Sequence, residues 1–308
     1  MKTFQTITAF APATTSNLAI GFDILGFPLT SLGDKISLTP REEPDVLIES
    51  INTQVIPKDP DKNTASIVVK AMQQAYGLNH GFSMSIEKGI PLGSGLGGSA
   101  ASAVAACIAM TPFIDDTIPK EDLANFALQA ESQVSGGLHG DNVVPSLYGG
   151  FCLIQNLSPL RVIQLPSPSL TAVFIHPHMT IETKEARRVL QPEVNLKKCI
   201  QQTANLAGFM AALYTNDNQL LSQCCEDILI EPMRSQLIPG FYDVQKAALS
   251  EGALACSLSG SGPTLFAFAD SEKAAHKIAY AMQKAFTNHG LNSDKWLSPI
   301  SPTGAQLL

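Results

Sequence analysis

The chain has 308 residues, 45% of them hydrophobic and only 15% charged, with a net charge of −7 at pH 7. That composition suits a packed globular protein of about two domains and excludes disorder, which needs low hydrophobicity and high charge. The acidic balance and the lack of any basic run argue against nucleic acid as a partner, and no apolar stretch of roughly 18 residues is available to span a membrane.

The opening segment MKTFQTITAFAPATTSNLAIG lacks an uninterrupted apolar core with a processing site behind it. No signal peptide is read, and a cytoplasmic location is expected. Residues 4–11 and 35–39 read as strands, and Phe82, Met84 and Ile86 alternate in GFSMSIEKG as in a half-buried strand. Residues 98–110 are small and apolar without a breaker, which predicts a closely packed helix. Residues 121–134 read as a second helix, 135–150 as a polar, glycine-rich loop, and 151–155 as a strand. The stretch 156–169 holds Pro159, Pro166 and Pro168 with little periodicity and is the expected domain boundary, dividing 1–160 from 161–308.

Beyond it, 170–177 is a buried strand and helical patterns occupy 183–190, 195–214, 217–226 and 240–251. Strands at 253–259 and 264–270 flank the turn GSGP. A helix over 271–288 and a strand near 295–300 follow. Strands and helices mix without regular βαβ alternation, so the fold class is α+β. The six cysteines, Cys107, Cys152, Cys199, Cys224, Cys225 and Cys256, show neither a C-x-x-C pair nor zinc spacing and read as reduced thiols.

The segment Pro91, Leu92, Gly93, Ser94, Gly95, Leu96, Gly97, Gly98, Ser99, Ala100, Ala101 is the most informative. Its glycines let backbone N–H groups approach an anion, and it runs into a predicted helix N-terminus, where unpaired N–H groups favour phosphate. A Walker A loop is excluded because no lysine follows the glycines. Gly93, Gly95 and Gly98 satisfy the dinucleotide pattern G-x-G-x-x-G. However, Pro91 separates the loop from the preceding strand, and Asp115 and Asp116 follow a poor strand. A structural glycine turn stays open as an alternative.

The same segment resembles the second signature of the GHMP kinases, P-x-x-x-G-L-G-x-S-A-A. Two further segments are similar to that superfamily's first and third motifs in the expected order, APATTSNLAIGFDILGFPL at 11–29 and SLSGSGPTLFAF at 257–268. The form of the first motif, with HGDNVVPSLYGGF, TKEARRVL and EPMRSQLIPGF, resembles the homoserine kinases rather than the galactokinases or mevalonate kinases. The resemblance implies a two-domain fold, ribosomal protein S5 domain 2-like at the N-terminal end and ferredoxin-like at the C-terminal end. It also implies ATP-dependent phosphorylation of L-homoserine in threonine biosynthesis, with Mg²⁺, and a homodimer as the assembly. Two departures stand out: Gly98 replaces a usual serine, and Ser94 stands where a basic residue is frequent.

By that resemblance, Arg187 and Arg234 take the substrate carboxylate, a role suited to guanidinium forks. Asp23 meets the ammonium, and Asn17 lies near the reacting hydroxyl. His139, Asp141 and Asn142 form a polar cluster at the substrate. Ser99 and Glu131 are the expected magnesium ligands, few oxygens beside phosphate being what that ion accepts. Thr183 touches the transferring phosphoryl group, and Asn63, Lys88, Gly260 and Ser261 complete the ATP site. No dedicated catalytic base is implied. His176 and His178 lack a third metal ligand and read as loop residues. Another carboxylate-directed kinase on the same fold, such as a shikimate-type member, and a catalytically silent sensor are the competing readings.

Overall fold

A computed structural model describes residues 5–53, 56–114, 117–135, 137–300 and 302–308. Phe4, at the start of the first predicted strand, and Asp115, Asp116 and Gly136 lie outside them. The described residues form a seven-stranded and a four-stranded sheet with helices packed on both, so the α+β class holds.

The first sheet runs β11–β1–β2–β4–β3, with β5 and β6 branching from β2. Its strands are β1 (Ile7–Asn17), β2 (Gly21–Arg41), β3 (Val46–Ile51), β4 (Gly81–Glu87), β5 (Phe151–Leu157), β6 (Leu160–Leu165) and β11 (Gln306–Leu307). β3 and β4 pair in parallel; the other ladders of this sheet are antiparallel. The second sheet is antiparallel in the order β10–β7–β9–β8, with β7 (Thr171–Pro177), β8 (Ala255–Leu258), β9 (Leu265–Ala269) and β10 (Ser293–Pro299). The chain thus leaves the first sheet after Leu165 and returns to it at β11.

Against β1 and β2 lies α2 (Gly98–Met110), flanked by α1 (Thr64–Ala75), α3 (Lys120–Ser135) and α4 (Gly140–Tyr148). Its alanines are buried almost all round, and their small size lets these five neighbouring elements approach closely. The second sheet is backed by α9 (Phe241–Ser250) and α10 (Glu272–Asn288). The remaining helices are α5 (Thr183–Arg188), α6 (Leu196–Thr215), α7 (Asn218–Cys224) and the single turn α8 (Glu231–Arg234). The sheets meet through aromatic rings. Phe27 of β2 lies 4.9 Å from Phe151 of β5 and 5.7 Å from Phe268 of β9, centroid to centroid.

Two readings are corrected. Residues 140–148 are helical rather than loop, because Val143, Val144 and Leu147 are buried on one face and outweigh the polar composition. Pro145 lies inside that helix and leaves the Asp141 carbonyl without its usual helical donor; Gly26 packs closely against both residues. Part of the 156–169 stretch is β6, in a hairpin with β5. No helix among the described residues is long and apolar enough to cross a membrane.

Candidate active site

The backbone between β1 and β2 is the most strained segment near the cavity. Asn17, Leu18 and Ala19 have φ of 72°, 47° and 63°, and Asp23 has 63°. Left-handed backbone at four non-glycine residues so close together costs free energy, and such clusters are sustained where the surroundings over-determine them. Here Leu18 and Ala19 are buried, and Asn17 ties the turn down twice. Its Oδ1 accepts from the Asp23 N–H at 3.0 Å, and its Nδ2 donates to the Gly260 carbonyl at 2.8 Å.

The glycine loop joins β4 to α2. Gly93, Gly95 and Gly97 take φ of 64°, 78° and 66°. A Cβ at Gly95 would come within 2.6 Å of the Gly262 carbonyl oxygen, and one at Gly97 within 2.8 Å of Asn142 Oδ1. The loop therefore needs glycine for conformation and for room. It is braced by the turn between β8 and β9: Ser259 Oγ donates to the Gly95 carbonyl at 3.0 Å, and the Thr264 N–H to the Ser94 carbonyl at 3.3 Å. The Gly260 N–H donates to the Ser16 carbonyl at 3.2 Å, which closes the ring of loops.

These loops enclose a cavity of about 270 Å³. It brings together most of the predicted site. Pro91, Leu92, Gly93, Ser94, Gly95, Gly97, Gly98, Ser99 and Ala100 line one wall, with Glu131, Gly260 and Ser261. Asn17, Asp23, His139, Asp141, Asn142, Thr183, Arg187 and Arg234 line the rest.

Leu96, Ala101, Asn63 and Lys88 do not line it. Leu96 and Ala101 are core residues. Asn63 caps α1, its Oδ1 accepting from the Ala65 and Ser66 N–H groups at 3.1 and 3.4 Å. Lys88 is buried, and its three donors go to the Asp34 carboxylate, the Gly98 carbonyl and Ser102 Oγ. An ammonium has three N–H donors, so none is left for a nucleotide.

At the far end of the cavity Arg187 donates to both oxygens of Asp23, at 2.7 and 3.1 Å, and to His139 Nδ1 at 3.1 Å. His139 therefore accepts at Nδ1, and burial followed by the Arg187 charge holds its pKa down. Arg234 is almost wholly buried. Its Nε donates to the Ala186 carbonyl at 3.1 Å and its Nη1 to the Gly260 carbonyl at 3.0 Å. Burial, then the Arg187 charge, pulls its pKa down to about 10, so it stays cationic at neutral pH. Burial and then the Asp23 charge push Asp141 up to about 6.

Sequence reasoning missed two contributors. Both guanidinium groups lie over the Phe22 ring, at 5.4 Å for Arg187 and 4.9 Å for Arg234, an arrangement that shields and orients two like charges. Its place beside Asp23 was the available signal. Ser16 Oγ accepts from Asn142 Nδ2 at 3.3 Å and so fixes that amide.

Beside the N-terminus of α2, the Ser99 hydroxyl hydrogen-bonds Thr64 Oγ1 at 2.9 Å, and Glu131 comes close enough for Ser99 to support its ionised form. Burial raises the Glu131 pKa; the Ser99 hydrogen bond and then the Lys88 charge oppose that rise. No group of three or more His, Cys, Asp or Glu is poised to hold a metal among the described residues. Two hard oxygen donors at the mouth of an anion cradle nevertheless fit Mg²⁺, which takes its other ligands from phosphate and water. The cavity thus has one end lined by the glycine loop and the N-terminus of α2 with oxygen donors beside it, and an opposite end that presents both signs of charge. His176, which read as a loop residue, is on β7, buried and bonded through Nδ1 to Thr264 Oγ1 at 3.1 Å.

The model of the N-terminal domain of the GHMP kinases matches residues 63–150, and that of their C-terminal domain residues 209–288. The chain is 40% identical over 319 residues to a homoserine kinase of Chlorobium phaeobacteroides (strain BS1), covering 99% of this chain and 100% of that protein. It is also 40% identical over 304 residues to one of Xylella fastidiosa (strain M12), covering 97% and 93%. The crystal structure of a homoserine kinase from Cytophaga hutchinsonii superposes with a TM-score of 0.96 at 42% identity, covering 100% of this chain and 98% of that one. A mevalonate kinase of L. major in complex with R-mevalonate has the same fold, with a TM-score of 0.76 at 16% identity, covering 97% and 98%.

Proposed function

The chain belongs to the GHMP kinases, among the homoserine kinases, and on that premise we propose that it transfers the γ-phosphoryl group of ATP to the side-chain hydroxyl of L-homoserine. The products are O-phospho-L-homoserine, ADP and a proton, in a step of threonine biosynthesis. The observation that carries the reading is the two-ended cavity. Homoserine is a zwitterion with a hydroxyl, and a selective pocket for it must present both a cation and an anion beside an anion cradle.

Arg187 and Arg234 supply the positive charge for the α-carboxylate, stacked on Phe22. Asp23 and Asp141 supply the negative charge for the α-ammonium. Asn17 and Asn142, each fixed by hydrogen bonds, orient the hydroxyl toward the glycine loop. The backbone N–H groups of that loop and of the first turn of α2 receive the phosphates, with buried Ser94 and the more open Thr183 and Ser261 beside them. Magnesium held by Ser99 and Glu131 would neutralise charge on the transferring group. Such a transfer passes through a loose transition state in which positioning and charge neutralisation do most of the work, so a dedicated carboxylate base is not required. The hydroxyl proton leaves late, to the phosphoryl oxygens themselves.

The test is ADP release over a panel of acceptors that includes homoserine, shikimate and mevalonate. Magnesium-dependent turnover confined to homoserine is expected. Turnover of shikimate or mevalonate without homoserine would overturn the reading.

A further inference from the structure

The glycine loop has a neck, and a buried ion pair spans it. The loop enters through Gly89 and Ile90 and leaves through Gly98. Asp34 of β2, fully buried, accepts the Gly89 and Ile90 N–H groups on Oδ1 at 3.1 and 3.3 Å. Lys88, its side chain only 6% exposed, donates to the Gly98 carbonyl at 2.7 Å and to Ser102 Oγ at 2.9 Å, while pairing with Asp34. Ser102 Oγ in turn donates to Asp34 Oδ2 at 2.7 Å. One carboxylate therefore grips the entry, one ammonium grips the exit, and the two grip each other. Neither residue lines the cavity.

We propose that Asp34 and Lys88 act as an ionic clasp that holds the two ends of the phosphate loop at the spacing phosphate binding requires. They are positioning residues for the nucleotide and do not touch it. The proposal rests on the reading of residues 91–98 as the phosphate cradle. Its physical basis is conformational entropy. Gly93, Gly95 and Gly97 sit in left-handed backbone, and glycine visits many other conformations when its flanks are free. Fixing the ends of a short loop removes that freedom before the anion arrives, so the anion does not have to supply the ordering free energy.

The test compares Lys88→Met, Asp34→Asn and the double variant D34N/K88M by calorimetric titration with MgATP and with magnesium tripolyphosphate. Melting curves and the homoserine KM are read alongside. Either single change strands a buried charge and should lower the melting temperature, whereas the double change removes both charges and should restore most of it. The clasp predicts that the double variant, though folded, binds MgATP about tenfold or more weakly, with the homoserine KM moving less than about twofold. It also predicts an equal loss for tripolyphosphate, because the loop and not the base is disturbed.

A folded double variant that binds MgATP as the wild type does would overturn the proposal. So would a loss for MgATP with tripolyphosphate binding intact, which would make Lys88 a direct contact to base or ribose. A wild-type chain that binds MgATP yet leaves homoserine unphosphorylated would overturn the acceptor assignment alone, since both titrations are made without an acceptor. One that binds neither MgATP nor tripolyphosphate would overturn both.

Discussion

Arg187 holds Asp23 by two N–H···O bonds of 2.7 and 3.1 Å, one to each carboxylate oxygen, so the groups expected to read the two charges on the substrate's α-carbon are bonded to each other at one end of the cavity. The pair neutralises itself before substrate arrives and keeps both side chains in place for it. Asp23→Ala should therefore do two things: remove the negative charge and release Arg187. Both side chains are about a third exposed, so the expected loss in kcat/KM for homoserine is about 10–10³-fold, roughly 1.4–4 kcal/mol for breaking one partner of a partly buried charge pair. Steady-state kinetics with an analogue lacking the α-amino group checks the first effect. That analogue should lose less; equal losses would remove Asp23 from the ammonium.

Arg234 is committed to two carbonyls and a ring face, leaving the rest of its fork toward the cavity. Arg234→Leu keeps the apolar bulk and deletes the charge. Homoserine kcat/KM should again fall about 10–10³-fold, with a far smaller change in the MgATP KM. A raised MgATP KM with homoserine spared would place the arginine at the nucleotide end.

Asp141 should give the site a pH dependence. Its pKa of about 6 in the folded chain exceeds the ordinary carboxylate value because burial and the Asp23 charge oppose ionisation. A folded pKa above the unfolded one means the folded state holds its proton longer. The stabilising contribution is thus fully present below about pH 4 and is lost as pH rises from there through about 6. Asp141→Asn should therefore be more stable than the wild type at pH 7, by roughly 2–3 kcal/mol at most, and should lack that slope between pH 4 and 6. Because the ionised form is the one that attracts an ammonium, homoserine kcat/KM should fall below pH 6 in the wild type. Chemical denaturation and kinetics across pH 4–8 read both effects; a pH-independent difference in stability would contradict the assignment.

Chelation with EDTA should abolish turnover. Ser99→Ala and Glu131→Gln should each raise the Mg²⁺ concentration needed for half-maximal rate by about tenfold or more, with the homoserine KM little changed. Magnesium titrations at saturating ATP make the comparison. Wild-type curves from both variants would remove these residues from the metal.

Adjacent glycines of the phosphate loop should respond unequally. Gly97→Ala places a Cβ in left-handed backbone and against Thr14 and Asn142, and should cost about 3 kcal/mol or more. Gly98→Ala enters the first turn of α2 and meets only Ile90 closely, so its effect should stay within about 1 kcal/mol. Urea denaturation of the two variants settles the contrast.

Much of the site was legible because its chemistry is written in contiguous motifs. The glycine loop is legible from its residue types, and Asp23 and the two arginines from the resemblance of the segments that carry them; the cavity gathers all of them. The Lys88 position was not legible: the resemblance places it at the ATP site, but its partner Asp34 lies 54 positions earlier and only the β2–β4 pairing brings the two together. The same limit hid α4: its polar letters Asp141 and Asn142 face the cavity and Ser146 is buried against the Pro12 carbonyl, while burial of Val143, Val144 and Leu147 decides its conformation. It also hid the length of β2, 21 residues that change face at an irregular register near Pro12 and again near Ser16 of its partner.

The Gly260 carbonyl accepts from Asn17 at 2.8 Å and from Arg234 at 3.0 Å. One oxygen of the turn that braces the phosphate loop is thus the common anchor of two groups at the acceptor end. Any shift of that turn on nucleotide binding is felt at both, and any shift of Arg234 on acceptor binding is felt at the turn. Nucleotide and acceptor should then be thermodynamically coupled, each changing the affinity of the other by one and the same factor. Measuring that factor from either side should give a single number, and Asn17→Ala should alter it from both sides equally.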